Sequence, residues 1–425
     1  MMNSSLTKTL ALSLALASAT VVQADVLVLT GATVHPISSD PIEDATVIIE
    51  DGLISAVGAD LDWPADAEVQ RLDGLHLYPG FVHPATQLGL SEISSVAGTI
   101  DTSEMGSINA AIQAEVAINH DSELLPAAIA GGVLSAHVMP NGGLIAGTSA
   151  VINLDGWSWE EMVIASPTGM HIDFPAAAVD DDSNEDLKTI ETVLDLARDH
   201  LRATQAAEAG DAPAPPRNNQ LEALAPLLRG EQTLYLRANR YDVMERALDW
   251  AADQEFDNVV LMANPDVQYI ADRLALDNIP VILRNVYAMP TRRWEAYDMA
   301  YVAAARLAEA GVRFAIADTG GGMDLANARN LPFQAGSAAA HGLDKGDALK
   351  SVTLWPAEIL GVGDELGSIE VGKRASLFAA TGDALEAMTR IEQVWIDGKE
   401  YDLSRDPGRR LYPRYRERNA DVQGR

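Results

Sequence analysis

Cysteine is absent from the 425-residue chain. That excludes disulfide bridges, thiolate zinc sites and a cysteine nucleophile. Lysine is scarce, at six residues: Lys8, Lys188, Lys345, Lys350, Lys373 and Lys399. Aromatic residues make up 5% of the chain, too few for platforms that stack bases or long sugar chains. Positive charge is in deficit. Thirty Lys and Arg stand against 62 Asp and Glu, a formal charge of −32. So acidic a surface repels phosphate backbones and argues against nucleic-acid binding; it suits a saline or periplasmic setting. No segment after the first 24 residues is apolar over the roughly 20 residues that span a bilayer. The G-x-S-x-G elbow of serine hydrolases is also missing.

What is present is a leader, a small β region and a long alternating region. Lys8 precedes the apolar run LALSLALASATVV (10–22), and Val22 and Ala24 stand at −3 and −1 of a cleavage point after Ala24. This predicts a secretory signal peptide over 1–24 and a periplasmic mature protein. Short β-branched runs broken by TGAT, SSDP and EDG then predict a meander of strands. From about Val82 to Gly361, strand-like runs (VLSAHV 133–138, TLYLRA 233–238, VVLMA 259–263, PVILR 280–284, RFAIAD 313–318) alternate with helical stretches at 241–254, 267–276 and 292–311. Buried strands separated by helices imply a parallel sheet, and the number of units favours an α/β, (β/α)8 TIM-like barrel. The tail returns to strands at 366–381 and 391–403. The expected division is a β-sandwich domain built from both chain ends (25–78 plus 364–405), a barrel over 79–363, and a loosely ordered tail over 406–425. The Pro-rich GDAPAPPRNN (210–219) reads as a surface loop, and NGG (141–143) as a hairpin turn.

Several stretches resemble the amidohydrolase superfamily, in its imidazolonepropionase-like branch. They are TGATVHPISSDPIEDATVIIEDGLISAVG, LDGLHLYPGFV, the hairpin-like VMPNGGLIAGTSAVINLDGW, and ARNLPFQAGSAAAHGLDKGDALKSVTLWPAEILGVGDELGSIEVGKRASLFAAT. The resemblance implies one or two divalent metals, zinc or a similar ion, at the C-terminal mouth of the barrel. Their usual ligands are a His-x-His after the first strand, His residues after the fifth and sixth, an Asp after the eighth, and in binuclear members a carboxylated Lys or a Glu. The metal acidifies a bound water that attacks a carbon–nitrogen bond.

This chain departs from that pattern. The His-x-His positions carry Ala85 and Gln87, with only the single His83 before them. Arg237 stands at the fifth-strand position and Met262 or Ala263 at the sixth, none of them a metal ligand. No lysine ends a barrel strand. Asp318 alone matches, so no family-type metal site and no cofactor are predicted. Asp318 is the candidate catalytic acid or base. Arg237, Asn264, His137, His171, Gln87 and Arg284 are the candidates for a ligand pocket. The arginines read equally as a clamp for an anionic small molecule or as a structural network with Asp318, Asp242 and Asp266. His137 and His171 read as hydrogen-bonded core histidines or, with His83 and Asp318, as a rearranged metal site. The functional expectation is an amidohydrolase-like protein of carbon–nitrogen hydrolase ancestry with weak or lost metal-dependent activity. The alternatives are a non-catalytic periplasmic binding protein, a homo-oligomer or a partner of an active homologue, and a hydrolase with a relocated metal.

Overall fold

The computed structural model describes residues 26–181 and 183–423; the leader read over 1–24 lies outside them. Five strands open the chain: β1 (Val26–Val34), β2 (Ile42–Glu50), β3 (Leu53–Gly58), β4 (Glu68–Arg71) and β5 (His76–Pro79). Eight follow: β6 (Phe81–Thr86), β7 (Val133–Val138), β8 (Ile145–Asn153), β9 (Val163–Asp173), β10 (Thr233–Arg237), β11 (Val259–Ala263), β12 (Val281–Arg284) and β13 (Phe314–Ala317). Three close the set: β14 (Leu377–Ala380), β15 (Ile391–Ile396) and β16 (Lys399–Glu400).

Strands β6 to β13 make one eight-stranded sheet in sequence order. Its first and last strands lie side by side without a ladder between them, so the sheet is a nearly closed barrel. The other eight strands make a second sheet in the order β16-β15-β14-β5-β1-β2-β3, with β4 also paired to β1. The two chain ends meet where β14 runs antiparallel to β5, Leu377 opposite Pro79 and Ala380 opposite His76. The expected β region from both ends is therefore one continuous hydrogen-bonded sheet.

Alternation along the strands decides which side chains face the barrel interior. On β11, Val260 and Met262 join the interior cluster, while Val259, Leu261 and Ala263 pack outward under the helices. The same split holds for Tyr235 against Leu234 and Leu236, for Ile282 against Val281 and Leu283, and for Ala315 and Ala317 against Phe314 and Ile316. Arg237 and Arg284 follow Tyr235 and Ile282 at a spacing of two, which carries them to the top of the interior face.

Two expectations need correction. The wall is not built of eight βα units: β8 runs antiparallel to both β7 and β9. The turn from β7 to β8 is too short for a crossover helix, and so short a link permits only antiparallel pairing. Gly142 and Gly143 take positive φ there, which supplies the turn. Secondly, the helix expected over 292–311 forms only at Ala303–Glu309. Upstream, tertiary contacts outcompete helical propensity: the Gln268 amide donates to Met299 O at 2.9 Å, and Glu295 accepts from the Thr291 and Arg292 amides at 2.7 and 2.8 Å. The tail, for its part, is helical over Pro407–Gln423.

Candidate functional site

The strand ends of the barrel bring three polar groupings together. The first spans the seam between β6 and β13. His83 Nε2 lies 3.2 Å from Asp318 Oδ2, both side chains being buried. The ring N–H is not aimed squarely at the oxygen, so the contact is a close ionic or dipolar one rather than a well-formed hydrogen bond. Asp318 Oδ1 accepts the Gly320 amide at 2.6 Å. Above the same seam, Gly320 and Gly321 press on the end of β6. A Cβ at Gly320 would stand 2.8 Å from Ala85 O, and one at Gly321 would stand 2.6 Å from Gln87 Oε1. The glycine run is thus explained by close approach, with Gly320 at φ +78 as well.

The second grouping fills the interior below the mouth. His137 Nδ1 donates to Pro84 O at 2.8 Å, so in the neutral ring Nε2 keeps its lone pair. The Ser149 and Thr168 hydroxyls lie 2.7 and 3.0 Å from that nitrogen. Ser149 also reaches His171 Nε2 at 2.8 Å. The Tyr235 ring lies 4.8 Å from each imidazole, nearly parallel to that of His171. Burial pushes His137 down from its ordinary 6.5 to about 4, the Pro84 carbonyl partly opposing this. Burial also drives His171 well below its ordinary value, helped by the positive charge of Arg237. Both rings are therefore neutral across the physiological range. They are core histidines with hydroxyl partners.

The third grouping is the arginine pair at the rim of the interior. Arg237 is only 6% exposed. Its Nε lies 2.8 Å from Asp173 Oδ1, again without N–H alignment, and its Nη1 donates to Asn141 Oδ1 at 3.0 Å. Its Nη2 has no partner among the described residues. Arg284 donates through Nη2 to Thr319 O, while its Nε is buried without a partner among the described residues. Burial lowers the pKa of Arg237, offset in part by Asp173. It lowers that of Arg284 too, with the charge of Arg237 adding to the effect. Asp173 is raised by burial and held back by both arginines.

Of the candidates named from sequence, the structure thus groups Asp318 with His83, His137 with His171, and Arg237 with Arg284. Gln87 is buried beside the glycine loop and Asn264 is half-buried just past β11. Of the acids offered as partners for the arginines, Asp242 instead makes a two-pronged surface pair with Arg240 at 2.7 and 2.8 Å, and Asp266 pairs with Arg292 at 2.6 Å. Among the described residues, no three His, Asp or Glu side chains converge in a geometry that could hold a metal ion. Sequence reading missed Asp173, Asn141, Ser149 and Thr168. Asp173 was within reach: it follows His171 by two residues on one strand and so shares its face. The other three depend on the register of the β7–β8–β9 hairpins, which carries several bulges.

Comparison with known proteins adds three findings. Residues 257–401 match the model of the amidohydrolase family. The crystal structure of an amidohydrolase from Thermotoga maritima superimposes with a TM-score of 0.81 at 27% identity, over 88% of this chain and 99% of that one. Molinate hydrolase shares the fold, with a TM-score of 0.54 at 16% identity over 90% and 96% of the two chains. In sequence, the chain is 38% identical over 58 residues to a putative N-acetylgalactosamine-6-phosphate deacetylase of Escherichia coli, and 39% identical over 72 residues to an amidohydrolase of Hapsidospora irregularis. Those stretches span 32% and 7% of the two relatives' lengths. Part of this chain, residues 257–401, thus matches the amidohydrolase family model, and its barrel shares the fold of the Thermotoga maritima amidohydrolase.

Proposed function

We propose that this is an amidohydrolase-like protein of the imidazolonepropionase-like branch, of carbon–nitrogen hydrolase ancestry, in which an arginine pair has replaced the metal centre and binds the carboxylate of a small molecule. The observation that carries the reading is the buried Arg237 side chain at the end of the fifth barrel strand, whose Nη2 donor lacks a partner among the described residues. A buried N–H left without an acceptor costs about 1–3 kcal/mol, more for a charged group. An acceptor-rich anion removes that cost and relieves the repulsion between Arg237 and Arg284. A carboxylate suits them best, because its two oxygens match the planar donor fork of a guanidinium.

The same residues do not suit a divalent ion. Ala85 donates nothing, Met262 faces the apolar interior, and Arg237 brings its own positive charge to the place where the resemblance puts a ligand. Asp318 is engaged by His83 and Gly320. A carboxylate without a Lewis acid is a weak catalyst of amide hydrolysis, since the metal supplies several kcal/mol of transition-state stabilisation. Metal-dependent turnover is therefore weak or lost in this reading, and His83–Asp318 acts as a staple across the barrel seam. The leader over 1–24 directs the protein to the periplasm, and the β region closes as a sandwich-like domain.

Calorimetric titration tests the proposal with N-acetylamino acids and aromatic carboxylates, each set against its uncharged amide. Carboxylates should bind saturably and the amides should not. Arg237→Met and Arg284→Met should each weaken binding about tenfold or more, equivalent to about 1.4 kcal/mol. Equal binding of acid and amide would rule the anion site out.

A further inference from the structure

The C-terminal helix, Pro407–Gln423, is opposite in character to the body that carries it. It holds Arg409, Arg410, Arg414, Arg416 and Arg418 in a chain with a formal charge of −32. Its first turn is tied down: the Arg409 amide donates to Asp406 Oδ2 at 2.9 Å, and Arg410 Nη2 lies 3.2 Å from Glu123. Beyond that, every residue to Asn419 is exposed.

Such a helix is poorly suited to standing alone. Pro413 lies inside it and removes a ladder hydrogen bond. Arg410, Arg414 and Arg418 follow one another at a spacing of four, so like charges stack on one face and repel. An acidic surface turns that repulsion into attraction. Beside the arginine ridge runs an apolar one: Leu411, Tyr412 and Tyr415, at one-, three- and four-residue spacings, are 39%, 69% and 56% exposed. Arginine and tyrosine are the residues that protein interfaces favour at their centres.

A matching receptor lies on the second sheet. A cavity of about 1010 Å³ opens there, with Val26, Ile49 and Leu53 among its apolar lining. Five carboxylates, Asp51, Glu68 and Glu400 among them, outnumber the two cations Arg374 and Lys399 in its lining. Leu53 is 45% exposed. We infer that the C-terminal helix of one copy docks in this carboxylate-rimmed cavity of a second copy, and that the exchange is reciprocal. Leucine and tyrosine enter the apolar floor, and the arginine ridge meets the acidic rim. Reciprocal exchange makes a closed twofold dimer and satisfies both helices at once. The occupant is a second copy because the rim and the helix complement each other in charge within one sequence. The arrangement is independent of any ligand at the barrel mouth.

The test is sedimentation equilibrium of the full chain, combined with disulfide trapping. The chain has no cysteine, so any covalent dimer reports only the introduced pair. Tyr415→Cys and Leu53→Cys chains, mixed and distinguished by mass, should cross-link at least ten times faster than Tyr415→Cys mixed with Leu196→Cys, a control at an exposed site. The dimer should weaken as salt rises. Reversing Arg414, Arg416 and Arg418 to Glu should weaken it at least tenfold, while circular dichroism shows the fold intact. A monomer at every concentration would overturn the inference, as would equal trapping at Leu53 and Leu196. Capture of the monomer by phosphatidylglycerol vesicles, lost in the triple variant, would assign the helix to a membrane instead.

Discussion

The two halves of the barrel wall are built on different terms. From β10 to β13 all neighbouring strands are parallel and their registers unbroken. Below the rim, the interior residues of this half are Val260, Met262, Ile282, Ala315 and Ala317, all apolar apart from the tyrosine hydroxyl on β10. From β6 to β9 two of the three pairings are antiparallel, and bulges interrupt the ladders. There the interior sets His137, Ser149 and His171 among the apolar Val82, Ala85, Met139 and Val151. The apolar half draws its stability from burial and packing. The polar half depends on each buried group finding a partner. Arg237 and Arg284 cap the parallel half, with Asp173 at the end of β9 facing Arg237. The candidate site therefore lies where the two regimes meet.

The largest expected contrast comes from emptying the apolar half. Ile282→Ala should cost about 3–4 kcal/mol by urea unfolding, through lost burial and the cavity left behind. A loss below about 1 kcal/mol would mean that this half is not tightly packed.

Acid should strike the polar half. The folded pKa of His137 is depressed to about 4 from 6.5, so the unfolded chain takes up the proton first. Stability should be complete above about pH 6.5 and decline as pH falls towards 4, by on the order of 3 kcal/mol. His171 acts in the same direction. Chemical denaturation at stepped pH measures the slope, and His137→Gln should flatten it. An unchanged slope would show that His137 is not the buried neutral group described here.

A smaller effect is expected at the seam. Asp318→Asn keeps the shape but removes the charge beside His83. It should cost about 1–2 kcal/mol and leave any hydrolytic rate nearly unchanged. A large fall in rate with unaltered stability would make Asp318 a catalytic group and not a staple.

The same contrast explains what could be read from sequence. The parallel strands β10 to β13 were legible to within a residue or two, because buried strands between helices leave continuous apolar runs such as VVLMA. Arg237, Arg284 and Asp318 were legible as strand-end residues for the related reason that they close such runs. The polar half was not. Its partners come from strands whose pairing depends on bulges, and no local signal tells Ser149 that it will face two imidazoles. The segment 292–311 misled for another reason. Its helical propensity is real, but the side chains of Gln268 and Glu295 claim its backbone groups.

The central claim is that arginine stands in for metal at the barrel mouth. Equilibrium dialysis of the purified protein against zinc and manganese, followed by elemental analysis, tests it most directly. The account predicts substoichiometric metal that Asp318→Asn does not change. One ion retained per chain and released by Asp318→Asn would contradict it.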